Sequence, residues 1–140
     1  MTRSEGRNLA FELLYSLEIQ KVEKEEQAEQ IALFLEQNEI QEENVVKYIK
    51  QTIQGISEQA EIIEKMISQN LKEKWNISRI SKVNLALLKL GIYEIIYTKL
   101  PYKVVVNEVV ELAKKYGEDS SPSFINGILA NVIKQNGIEE

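Results

Sequence analysis

Arg3 and Arg7 stand four residues apart near the start of the chain, inside "TRSEGRN". In a helix that spacing puts two side chains on one face. A guanidinium presents a planar fork of donors that bridges phosphate oxygens in a way a lysine ammonium does not. The plain alternative is a solvated helix end, and positive charge near a helix N-terminus is mildly unfavourable to the dipole. Tyr15 lies two turns further along, where an unpaired base could stack for about 1–3 kcal/mol, or where the ring could be half buried in a core. Phe124, beside the serine-rich "SSPS", offers a second stacking surface or a core anchor. Lys114 and Lys115 offer further phosphate contacts, or simply complement the C-terminal end of their helix. These are chemistries of binding.

Bond-making chemistry is poorly supplied. The chain has no histidine and no cysteine, which removes the usual base near neutral pH, the Ser-His and Cys-His pairs, and the common zinc ligands. No Gly-rich phosphate loop and no EF-hand-like spacing is present. The chain therefore reads as a non-enzyme with no cofactor and no metal. The missing cysteine also fits a reducing cytosol. A length of 140 residues with 44% hydrophobic and 28% charged content fits one soluble domain with a real core. No apolar stretch is long enough to span a membrane. The first twenty residues lack a signal peptide's apolar core, because Glu12 interrupts it. The net charge of −5 argues against nucleic-acid binding through bulk charge; any such binding must be local, or shared with a partner.

The elements that would position these residues are helical. Thr2 with Glu5 predicts a capping box, and Ala10, Leu13, Leu14 and Leu17 form one stripe of a first helix behind it. The charge run over 21–30 leads into a second helix, with Ala28, Ile31 and Leu35 facing inward and Asn38 closing it. Val46, Ile49, Ile53, Ile56, Ala60, Ile63 and Ile67 alternate spacings of three and four. That heptad seam predicts one long third helix over 42–70, with Gly55 as a place to bend. The seam could zip a homodimer. Packing within the same chain is favoured, because several amphipathic helices here need a partner surface.

A polar connection over 68–81 holds the only tryptophan, Trp75. Ser81 then caps a fourth helix, 82–98, apolar on nearly every side, Leu87 and Leu88 included, and so central. Over 102–117 the early valines have β propensity, but Val106, Val109, Val110 and Ala113 keep helical spacing, and Gly117 sits where a C-terminal cap belongs. Ser121 and Pro122 predict the N-cap and first position of a last helix, 122–135, closed by Gly137. Its face is Ile125, Ile128, Leu129 and Val132. Asn126-Gly127 falls inside it, where glycine costs about 1 kcal/mol relative to alanine. The expectation is a packing joint, with another helix backbone close to Gly127 and Asn126 hydrogen-bonding across the contact. The fold class is all-α, with six or seven helices and no strand.

Four blocks, in this order, resemble the NusB family of bacterial transcription antitermination factors over essentially the whole chain. They are the arginine-bearing start with Ala10, Leu13, Leu14 and Tyr15, then "WNISRISKVNLALLKLGIYEII", "LPYKVVVNEVVELAKKYG" and "SFINGIL". Each alone is a common amphipathic pattern; their order and separation make them specific. The resemblance implies two small helical bundles packed side by side in a single RNA-binding domain over 1–140. The N-terminal half is then about 1–70 and the C-terminal half about 71–140.

It also implies a cytoplasmic factor that binds single-stranded boxA RNA of ribosomal RNA operon transcripts. The family does so together with NusE, a small-subunit ribosomal protein, and acts indirectly on the RNA polymerase elongation complex. The RNA contacts it implies here are Arg3, Arg7, Tyr15, Lys114 and Phe124. The arginine arm is sparser than in several relatives, with Glu5 between its two arginines, so weak RNA binding alone and strong binding with NusE is expected. The alternative function is a self-associating helical scaffold without direct RNA binding, suggested by the heptad seam. A NusB-like domain also precedes the catalytic domain of some ribosomal RNA methyltransferases, but no glycine motif for their cofactor appears here.

Overall fold

The first helix begins where Thr2 and Glu5 cap each other. The Glu5 amide donates to the Thr2 hydroxyl at 3.1 Å, and the Thr2 amide donates to the Glu5 carboxylate at 3.4 Å. Two of the amides that a helix start leaves unpaired are thereby satisfied. The computed structural model describes residues 1–72 and 76–138; Trp75 lies outside them. Among the described residues the structure is all-helical. It has seven α-helices: α1 Arg3–Gln20, α2 Gln27–Gln37, α3 Glu43–Glu58, α4 Ala60–Gln69, α5 Lys82–Tyr97, α6 Tyr102–Tyr116 and α7 Ser121–Gln135. They form two compact units, Met1–Glu58 and Gln59–Glu140.

In the first unit, Ala10, Phe11, Leu13, Leu14 and Leu17 of α1 are buried, and α1 packs chiefly on α3. α3 contributes Val45, Ile49, Ile53 and Ile56 to the same core. Each such aliphatic side chain is worth about 1.5–3 kcal/mol when taken out of water. α1 stops at Lys21, which turns left-handed at φ 52 and gives its amide to the Leu17 carbonyl. α2 is held by fewer groups. Ile31 and Leu35 are buried as expected, but Ala28 is exposed.

The long helix expected over 42–70 is two helices. Gln59, at φ −103 and ψ 18, interrupts it, and Gly55 sits within unbroken helix. The heptad spacing survives the break because Ile56 and Ile63 remain seven residues apart and both are buried. The two parts serve different neighbours, since α3 packs on α1 and α4 packs on α5. The division between units accordingly falls at residue 58 rather than near 70.

In the second unit, α5 is central. It packs on α4, α6 and α7. Leu85, Leu87, Leu88, Leu90 and Ile92 are all buried, as are Lys89 and Glu94. Ser81 caps the helix by accepting the Asn84 amide at 3.1 Å. The Lys89 ammonium reaches the Glu64 carboxylate of α4 at 3.6 Å. Asn70, at the end of α4, exchanges side-chain amide hydrogen bonds at 3.2 Å with Gln135, at the end of α7. Pro101, which fixes its own φ and bars the preceding residue from helix, starts α6.

The turn between α6 and α7 is tight. A side chain at Gly117 would come within 2.6 Å of the Ser121 side chain and 2.8 Å of the Ala113 carbonyl. Ser121 is the first residue of α7 rather than its cap. It is buried, and its hydroxyl accepts the Glu118 amide at 3.0 Å.

The packing joint expected at Asn126-Gly127 is absent. Both residues are exposed, and a Cβ at Gly127 would meet no atom within 4 Å. α7 turns Ile125, Ile128, Leu129 and Val132 inward, and Gly127 projects from the far side of that face. The close helix approach exists elsewhere. At Gly91 of α5, a Cβ would stand 3.1 Å from the Leu129 side chain of α7.

Candidate nucleic-acid interface

The arginine arm does not present two guanidinium groups. Arg3 lies exposed on the first turn of α1, whereas Arg7 is only 1% exposed and is engaged within the protein. The cause is the helical period. Arg7 stands three, four and seven residues before Ala10, Phe11 and Leu14, which places it on the core stripe. The expectation that Arg3 and Arg7 together face a phosphate is corrected accordingly: in this structure only Arg3 is open to one.

Tyr15 is half-buried, its ring stacked on Phe11 with centroids 6.0 Å apart and planes at 19°. One face of the ring is therefore covered from within. Phe124 is half-buried in the first turn of α7. Lys114 is well exposed and sits 3.0 Å from the Glu111 carboxylate, a surface pair worth little. Lys115 is exposed and lies over the Tyr116 ring at 5.0 Å. Arg3, Arg7 and Tyr15 thus belong to the first unit, and Lys114 and Phe124 to the second.

Charge is distributed unevenly between the units. Residues 1–58 carry six Lys or Arg against twelve Glu, a net of −6, while residues 59–140 carry eleven against ten acidic residues, a net of +1. A polyanion is repelled by the first and tolerated by the second. Within the second unit, α6 and α7 leave a groove of about 390 Å³. Asn107 and Asn126 both line it, together with Tyr102, Val106, Val110 and Ala130. Nothing in the spacing along either helix marks this groove. Only the pairing of two helix faces reveals it.

The comparisons with known proteins decide the family. The profile of the NusB family matches residues 4–134. The chain belongs to the NusB family. It is similar to the transcription antitermination protein NusB of Clostridium novyi, at 43% identity over 96% of this chain and 99% of the relative. It is also similar to the NusB of Acetivibrio thermocellus, at 44% identity over 96% of this chain and 90% of that one.

Among solved structures, Thermotoga maritima NusB superposes with a TM-score of 0.87 and 31% identity, covering 96% of this chain and 92% of the other. A structure of the antitermination factors NusB and NusE in complex with double-stranded RNA gives 0.83 at 27% identity, covering 96% and 99%. Proteins of the NusB family are transcription antitermination factors rather than enzymes. Among the described residues, no helix is long and apolar enough to cross a membrane, and no cluster of His, Cys, Asp and Glu could hold a metal ion.

Proposed function

We propose that this chain is a cytoplasmic antitermination factor that binds boxA RNA of ribosomal RNA operon transcripts together with NusE. In that role it supports processive elongation by RNA polymerase without contacting substrate chemistry. The observation that carries this reading is the full-length likeness to a NusB seen with NusE and RNA. Arg3, Lys114 and the outward parts of Tyr15 and Phe124 are the groups available to an RNA strand. Arg7 supports the start of α1 from inside.

The heptad seam that suggested self-association is occupied within the chain, since Ile49, Ile53, Ile56, Ile63 and Ile67 are all buried. A homodimer would need another surface. The test is titration of a boxA-like single strand with the chain, with NusE, and with both. Weak binding by the chain alone and markedly tighter binding by the pair is expected. A pair that binds no tighter than its better component would overturn the cooperative reading.

A further inference from the structure

The groove between α6 and α7 combines features that neither helix has alone. Asn107 and Asn126 approach it from opposite walls, and both are exposed. Neither side-chain amide hydrogen-bonds to any described residue. Much of the remaining lining is apolar: Val106, Val110, Ala130 and Ile133. An unpaired nucleobase asks for that combination: an apolar or aromatic surface for its face, and donor–acceptor pairs for its edge. A carboxamide supplies an adjacent donor and acceptor, which matches the N6/N7 edge of adenine or the N3/O4 edge of uracil.

The charge distribution points the same way. The groove sits in the unit whose charge is balanced rather than acidic, with Lys103 on its rim. Lys114 stands one helical turn beyond Val110 on the same stripe of α6.

We propose that this groove holds one unpaired base of the bound RNA, with its face on the apolar Val106–Val110–Ala130 lining and its edge read by Asn107 and Asn126. Tyr102, in the same lining, offers a ring on which the neighbouring base stacks. The proposal rests on the RNA-binding reading above and adds a site to it.

The test uses the full chain and a boxA-like single strand, with and without NusE. In the unsubstituted protein, the side-chain amide NMR signals of Asn107 and Asn126 shift on adding RNA; unmoved signals overturn the proposal. Asn107→Ala combined with Asn126→Ala weakens binding about tenfold at unchanged melting temperature, and leaves the salt slope unchanged because no phosphate contact is lost. Ala130→Trp, which fills the groove from an exposed position, has the same effect.

Full affinity in these variants, or a loss accompanied by a shallower salt slope, would refute the base site while leaving RNA binding itself intact. Loss of NusE binding with unchanged RNA binding by the chain alone would also refute it, and would assign the groove to a protein segment. If the unsubstituted chain binds no RNA under any of these conditions, the RNA reading fails and the base site fails with it.

Discussion

Arg3 and Arg7 share a residue type and a helix but not a role. Arg7→Ala removes a nearly fully buried charged side chain and leaves a cavity, so it should cost about 2–4 kcal/mol in urea unfolding. Arg3→Ala should change stability by less than about 0.5 kcal/mol while weakening RNA binding. Equal losses of stability in the two variants would contradict their different burial. Gly127 gives the opposite kind of expectation. Its position is helical, its surroundings are empty, and its φ is not positive. Gly127→Ala should therefore raise stability by about 0.5–1 kcal/mol. A lower melting temperature would mean that some neighbour resents the added methyl group.

At the scale of elements, the apolar period located α1, α2, α5, α6 and α7 to within a few residues but ran α3 and α4 together as one helix, and the caps at Thr2 and Ser81 were legible from residue type alone. The same period could have placed Gly127 correctly. At about 100° per residue it stands roughly 200° from Ile125 around the helix, facing away from the buried stripe. Arg7 was equally readable from its spacing to Ala10, Phe11 and Leu14, but its charge argued against burial. The break at Gln59 was not readable, because it leaves the heptad spacing of Ile56 and Ile63 intact. The Asn107–Asn126 groove was not readable either, since it depends on how two helix faces meet. The true close contact is at Gly91, and a testable consequence follows. Gly91→Leu should destabilise by about 1–3 kcal/mol through overpacking against Leu129, and an unchanged urea midpoint would show that α5 and α7 separate freely.

For the molecule as a whole, an acidic chain that binds RNA must do so through few contacts. Each phosphate neutralised contributes a log–log salt slope of about −0.7 for a single strand. With Arg7 inside, Arg3 and Lys114 should give the chain alone a slope of about −1.4, and the pair with NusE a steeper one. Titrations at several salt concentrations measure both, and an equally shallow slope for the pair would mean that NusE adds no phosphate contacts. The division into two units carries a further consequence, for the order of events during synthesis. Every helix that packs within Met1–Glu58 has been made before residue 59 is added. At about 5–20 residues per second, the remaining chain takes roughly 4–16 s to emerge, whereas helix-rich packing of this local kind closes in microseconds to milliseconds. The N-terminal core should then be shut while the C-terminal helices are still inside the ribosome. Nascent chains arrested once residue 58 has cleared the exit tunnel should resist protease across α1 and α3, and cleavage there as fast as in an unfolded chain would show that the first unit waits for the second.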